Sequence, residues 1–175
     1  MKKFFPLCNK KKHKFLCFEI INQQLSDKAA DSIGKRFLTL FPRKQITTRR
    51  VRELSDQDIR DAGLSWSKVG FIKNLAEKVE SKEIDFKQLP MLDNETAIAE
   101  LTAIKGIGPW TAEMFLIFSL GREDVFSHGD VGLQRAIKQL YNLQDPSQED
   151  IEGITAKWSP YRSWASLVLW KIVDE

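Results

Sequence analysis

Two short stretches hold residues whose types and spacing can do chemistry. In Lys105-Gly106-Ile107-Gly108-Pro109-Trp110-Thr111, two glycines flank one isoleucine and a proline follows where a helix would begin. Glycine permits positive φ or the close approach of another backbone. Proline suits the first helical position, where no N–H is needed. Ile107 would plug the space between two helices. The turn would then expose backbone N–H groups at the amino end of the second helix, a place that takes a phosphate oxygen. Thr111 would add a hydroxyl in that helix's first turn. Downstream, Asp130 follows Gly129 at an expected helix start. A helix amino terminus favours the ionised carboxylate, and a partly enclosed carboxylate can stabilise a cation that develops as a bond breaks. Each stretch also has a plain structural reading: a helix connection that needs glycine, and an N-cap.

The elements that must position these residues read as helices. Ala29, Ala30, Ile33, Phe37 and Leu40 recur at three or four residues after Ser26, an expected N-cap, and Pro42 ends that run. An earlier helix carries Phe15, Leu16, Phe18, Ile20 and Ile21. Ser55 opens a short helix ending at Gly63, and Ser65 to Glu80 forms another. Asn94 is expected to cap Glu95 to Ala103, the first helix of the Gly-Ile-Gly hairpin, whose second runs from Trp110 to Leu120. Helices from Asp130 to Tyr141, Ser147 to Trp158 and Tyr161 to Val173 follow. No alternating strand pattern occurs. The expected class is all-α, two-lobed, with about nine or ten short helices.

Composition narrows the function. The 175 residues carry a formal charge of +3, but residues 1–60 hold 15 Lys and Arg against 6 Asp and Glu, and residues 61–175 hold 12 against 18. The basic part includes Lys10–Lys11–Lys12, Arg43–Lys44 and Arg49–Arg50–Val51–Arg52. Clustered cations suit a polyanion such as nucleic acid, whose condensed counterions they displace, although solvated faces have the same composition. Two cysteines, Cys8 and Cys17, exclude a disulfide framework and a four-cysteine cluster within the chain. His13 and His128 do not combine with them in a zinc spacing. No nucleotide-binding glycine motif occurs. The apolar runs are far short of a bilayer span of about 20 residues, and Met1 to Leu7 is too short and too soon basic for a signal peptide. No cofactor is expected.

The hairpin followed by Asp130, 22 residues beyond Gly108, resembles the helix-hairpin-helix DNA glycosylase superfamily, which is defined by that hairpin, a Gly/Pro-rich loop and an Asp. His128-Gly129 gives a reduced loop without proline. Phe18-Glu-Ile-Ile-Asn-Gln-Gln-Leu-Ser26, Gly63-Leu-Ser-Trp-Ser-Lys-Val-Gly-Phe-Ile-Lys-Asn-Leu-Ala76 and Tyr161-Arg-Ser-Trp-Ala-Ser-Leu-Val-Leu-Trp170 are similar to segments of the 3-methyladenine glycosylase II subfamily. The resemblance implies that Asp130 is catalytic and that Lys105, Gly106, Ile107, Gly108 and Thr111 contact the DNA backbone, the hairpin carbonyls often also holding a monovalent cation. It makes Trp110, Met114 and Trp170 the lining of a pocket for a flipped base, and Gln24, with Gln23 beside it, the wedge that fills the gap in the duplex. Met114 stands where the subfamily can have an aromatic residue. Trp66, Trp158 and Trp164 read as core.

Members that also cut the strand carry a lysine just after the hairpin. Here that position is Trp110, which cannot form a Schiff base. The resemblance therefore implies hydrolysis only, leaving an abasic site. A base made cationic by alkylation leaves without strong protonation, which suits 3-methyladenine and 7-methylguanine. Two alternatives stand beside this reading: a glycosylase of the same fold for deaminated or oxidised bases, and a catalytically silent DNA-binding module. The expected lobes are residues 1–25 plus 122–175, carrying Asp130, and residues 26–121, with the hairpin at about 94–120 and without the extra β-domain of some members. The expected partner is double-stranded DNA containing damaged bases, with no membrane, no catalytic metal and a monomeric protein. The expected place is the bacterial cytoplasm or the eukaryotic nucleus.

Overall fold

The structure, a computed structural model, describes residues 12–174. Cys8, Lys10–Lys11 and the Met1 to Leu7 stretch lie outside the described residues. The described chain forms ten α-helices and no strand: α1 (Lys12–Asn22), α2 (Asp27–Thr39), α3 (Thr48–Glu53), α4 (Asp56–Asp61), α5 (Trp66–Glu80), α6 (Asn94–Thr102), α7 (Pro109–Phe118), α8 (Val131–Leu140), α9 (Gln148–Ala156) and α10 (Arg162–Asp174). Side-chain oxygens set most of the starts. Ser26, Thr47, Ser55, Ser65 and Ser147 each accept a backbone N–H from the first turn of the helix that follows, which satisfies groups the helix itself cannot. The cap of α6 is Asp93, whose carboxylate accepts the Thr96 N–H at 2.8 Å, one residue before the expected Asn94. The caps of α4 and α9 are reciprocal boxes, with Asp58 and Asp150 reaching back to Ser55 and Ser147.

The chain divides into two compact units, one within Asn9–Ala112 and one within Glu113–Glu175, the division falling inside α7. In the first, α5 is the central helix, with α1, α3 and α4 packed on it and α2 on α1. Leu16, Ile20 and Ile21 of α1 are buried along with Phe37, Val51, Ile59, Ile72 and Leu75. Burying such side chains is worth about 1.5–3 kcal/mol each, and it explains why α1 groups with α2 to α5 rather than with the C-terminal helices. In the second unit, α10 packs on α8. Its core joins Phe126, Leu133, Ala136, Ile137, Ile151 and Leu169, with Trp158 and Trp170 packed against it.

Candidate functional site

In the first unit the hairpin between α6 and α7 is held by its neighbours. Gly106 has φ +84°, and a Cβ there would lie 2.3 Å from Cδ2 of Phe71. Glycine is thus required both by conformation and by the ring against it. Ile107 is buried, and its N–H donates to the Ile104 carbonyl at 3.1 Å. The Lys105 N–H donates to Oδ1 of Asn74 on α5 at 3.1 Å. Gly108 differs from Gly106: it is exposed, and a Cβ there would meet nothing within 4 Å. Folding does not demand glycine at 108, so close approach from outside is what its missing side chain offers. Pro109 opens α7 with no acidic residue in the first turn, and Trp110 beside it is 43% exposed. Thr111, expected to offer its hydroxyl here, is instead buried.

The end of α1 is tied to this hairpin. The Gln23 side-chain amide donates to the Gly106 carbonyl at 2.7 Å. Lys68 of α5 donates to the carbonyls of Ile21 and Gln23 at 2.8 and 2.6 Å, placing a cation at the negative end of α1. Burial lowers the Lys68 pKa from its ordinary value. The residue that follows, Gln24, is exposed and takes φ +55°. The two glutamines therefore have different settings: Gln23 is engaged inside the protein, and Gln24 stands outside it. The carbonyls of Ile104, Gly106 and Gly108 each accept one hydrogen bond within the chain. A carbonyl oxygen has two lone pairs, and such oxygens are the kind of donor a monovalent cation takes.

The basic stretch Arg49–Arg52 is not a bare stripe. Arg49 pairs with Glu53 at 2.8 Å, Arg50 with Glu53 at 3.7 Å, and Arg52 with Glu80. Trp66, expected in the core, is 58% exposed, with the Arg60 guanidinium over its ring at 5.8 Å. Trp164 is exposed as well, whereas Trp158 packs edge-on against Phe126 with centroids 5.9 Å apart.

In the second unit Asp130 is both an N-cap and a held carboxylate. It is 8% exposed. Its Oδ1 accepts the Leu133 N–H of α8 at 2.8 Å and the Trp170 indole N–H of α10 at 3.2 Å. The positive end of the α8 dipole and the two donors all meet the carboxylate. Trp170, expected as a stacking surface, thus also positions the carboxylate, while its ring stacks on Phe118 with centroids 5.8 Å apart. Gly132 supports this packing, since a Cβ there would lie 3.1 Å from Asp130 Oδ1. The α10 helix that carries Trp170 is anchored to the segment before Asp130. Arg162 holds Asp124 through Nε–Oδ1 at 2.6 Å and Nη2–Oδ2 at 3.0 Å, and the Ser163 N–H donates to the Glu123 carbonyl at 2.8 Å. Met114, expected in a base pocket, is 4% exposed in α7.

Sequence reasoning did not single out Glu113, Ser127, Phe118 or Lys68. Glu113 is half-buried on α7 and accepts the hydroxyl hydrogen of Ser127. Burial pushes its carboxyl pKa up, the Ser127 hydrogen bond opposes this, and the charge of Asp130 adds to it. Among the described residues no group of three His, Cys, Asp or Glu side chains could hold a metal ion.

A hairpin fixed from behind with its helix end turned outward, and a carboxylate fixed at another helix end, define a class of DNA repair proteins. Residues 17–160 match the HhH-GPD superfamily of base excision DNA repair proteins, and the chain belongs to that family. It is similar to the crystal structure of the DNA-3-methyladenine glycosidase of Bacillus halodurans, with 41% identity and a TM-score of 0.90, covering 98% of this chain and 79% of that one. It is also similar to the 3-methyladenine DNA glycosylase Mag1 of Schizosaccharomyces pombe, solved in complex with abasic DNA: 33% identity, TM-score 0.83, 95% of this chain and 82% of that one. YfjP of Bacillus subtilis is 33% identical over 162 residues, which are 89% of this chain and 56% of YfjP. The chain thus spans just over half the length of that relative.

Proposed function

We propose that the protein is a monofunctional DNA glycosylase that hydrolyses the N-glycosidic bond of alkylated purines in duplex DNA. The observation that carries this reading is Asp130, enclosed at the amino end of α8 and held by Leu133 and Trp170, in a chain of this family whose similar solved structures are named as 3-methyladenine glycosylases. Breaking the bond between C1′ and the base nitrogen leaves the electron pair on the base, and positive charge spreads over the deoxyribose. The fixed carboxylate stabilises that charge without having to reorganise. Water then adds at C1′ and gives up a proton, for which Asp130 is the base. An alkylated purine such as 3-methyladenine or 7-methylguanine is cationic before the bond breaks and leaves as a neutral molecule, so no strong acid is needed. Trp110 stands where a Schiff-base lysine would, and the strand is left uncut at an abasic site.

In this reading the exposed Gly108 and the amino end of α7, with Lys105, Gly106 and Ile107 behind them, receive the DNA backbone. Gln24 is the wedge and Gln23 the residue that seats it, and Trp110, Met114 and Trp170 are the residues assigned to the extruded base. No step passes through a cation on the hairpin carbonyls. The partner is double-stranded DNA. No helix among the described residues is long and apolar enough to cross a membrane, and the enzyme works where the DNA is, in a bacterial cytoplasm or a eukaryotic nucleus. The test is release of free methylated purines from methylated duplex DNA by the protein and by Asp130→Asn. The expected result is release of 3-methyladenine or 7-methylguanine that the variant loses, with the strand intact until alkali is added. A protein that binds the duplex and releases neither base would overturn the assignment.

A further inference from the structure

The turn that presents Asp130 contains no proline, and Gly129 within it has open space where a side chain would be. Something else must hold it. Ser127, fully buried, donates its hydroxyl to Oε2 of Glu113, and its carbonyl accepts the Asp130 N–H at 3.2 Å. From the other side the Gln134 amide donates to the His128 carbonyl at 2.7 Å, and the His128 ring packs edge-on against Phe126 with centroids 4.9 Å apart. Ser127 is therefore the link between α7 and the residue at the start of α8.

We propose that Glu113 is a positioning residue for the reaction: by accepting the Ser127 hydroxyl it fixes the turn that sets Asp130 in place. The choice of residue type supports this. Packing alone would be better served by an apolar side chain, because a half-buried carboxylate beside a like charge is costly. Here the carboxyl is half-buried, feels the charge of Asp130, and holds its pKa above the ordinary value. A hydrogen bond accepted by a carboxylate is about twice as strong as a neutral one, and the buried Ser127 hydroxyl donates to that of Glu113. The bond also spans 14 residues of sequence, so it joins two elements that local chain geometry does not join.

The inference rests on the proposed function, and its test separates the two. Glu113→Ala, Ser127→Ala, the double variant and Glu113→Gln are compared with the unaltered protein by two measurements. One is amide hydrogen exchange at Asp130 and Leu133 in the free protein. The other is single-turnover release of 3-methyladenine from methylated duplex with enzyme in excess. Each alanine variant is expected to speed exchange at those two amides about tenfold, relative to Ile151 of α9, and to slow release about tenfold, the size of one hydrogen bond to a charged group. Duplex affinity stays unchanged, and the double variant is no worse than either single one. Glu113→Gln keeps a carbonyl acceptor and stays within about threefold of the unaltered protein in both measurements. Unchanged exchange in both alanine variants, additive losses in the double variant, or a glutamine variant as impaired as the alanine one would each overturn the proposal. If the unaltered protein releases no methylated base, the proposed function falls, and the exchange data still decide the role of Glu113.

Discussion

The amino ends of α7 and α8 use the same physics in opposite ways. Both are helix starts with a partial positive charge and N–H groups that the helix cannot satisfy. At α8 the chain supplies the anion itself: Asp130 is the N-cap, and Trp170 adds a second donor to the same oxygen. At α7 the first turn has no acidic residue, Gly108 is exposed with open space at its Cβ, and Trp110 lies at the surface. In the proposed function an anion there comes from outside, as a phosphate of the DNA. The rigidity is placed differently too. The hairpin is fixed through its backbone, by Phe71 against Gly106, Asn74 on Lys105 and Gln23 on the Gly106 carbonyl. The Asp130 region is fixed largely through side chains, by Trp170 on the Asp130 carboxylate, Ser127 on Glu113 and Gln134 on the His128 carbonyl. Damage to the first should show in binding, and damage to the second in rate.

The largest expected effect comes from removing the carboxylate charge. Asp130→Asn keeps an oxygen that can cap α8 but loses the fixed negative charge, and single-turnover release should fall by about 100-fold or more. Its affinity for duplex DNA should stay within about threefold, because a lost anion can only ease the approach of phosphate. A variant that lost affinity as much as rate would break the separation between the two helix ends.

The two glycines sharpen it next. Gly106→Ala places a methyl group against the Phe71 ring at a positive φ, and should lower the unfolding free energy by about 2–4 kcal/mol in urea titration. Gly108→Ala adds a methyl group into open space, and should leave stability within about 0.5 kcal/mol while weakening duplex binding. Equal destabilisation by both substitutions would mean that Gly108 serves the fold and not a ligand.

How much of this was legible in the sequence depended on the range of the interaction. Ser26, Ser55, Ser65 and Ser147 announced their helices because a cap and its first turn lie within three residues. The all-helical class and the hairpin, with its Gly-Ile-Gly-Pro spacing, were legible for the same reason. The short helix Thr48–Glu53 was not, since only Val51 in it is buried and its arginines read as a charge run. Trp66 read as core because tryptophan is mostly buried, but it follows the Ser65 cap on the outer side of α5, where Arg60 covers its face. In the candidate site, Asp130 and Trp170 were singled out as residues, but not the bond between them, which joins positions 40 apart. Glu113 and Ser127 escaped notice because neither belongs to a local pattern and only the fold brings them together.

Trp170→Phe tests the rate side of the comparison with a smaller change. It keeps an aromatic ring to stack on Phe118 and removes the N–H that reaches Asp130, together with the smaller ring of the indole. Release of methylated purine should slow by about tenfold, as for one hydrogen bond to a charged group, with binding of an abasic duplex little altered. A loss of binding larger than the loss of rate would show that the ring's contact with DNA outweighs its bond to the carboxylate.

The smallest effect concerns the anchor of α10 and is read by pH. Arg162 holds Asp124 through two hydrogen bonds, and this pairing keeps the Asp124 pKa below its ordinary value of 3.8. A carboxyl whose pKa is lower in the folded than in the unfolded chain stabilises the fold fully above the unfolded value. That contribution fades as pH falls through the folded value. Because both partners are about 30% exposed, solvent screens the pair, and its worth is about 1 kcal/mol or less. Asp124→Asn should therefore lower the Tm by a few degrees at pH 7, and the gap from the unaltered protein should begin to narrow as pH falls below about 3.8. At pH 7 the same variant should also slow base release slightly, since α10 is the helix that brings Trp170 to Asp130. A gap in Tm that did not narrow at all between pH 7 and pH 3 would show that Asp124 serves through its shape and its hydrogen bonds with Ser159 and the Arg162 backbone, not through its charge.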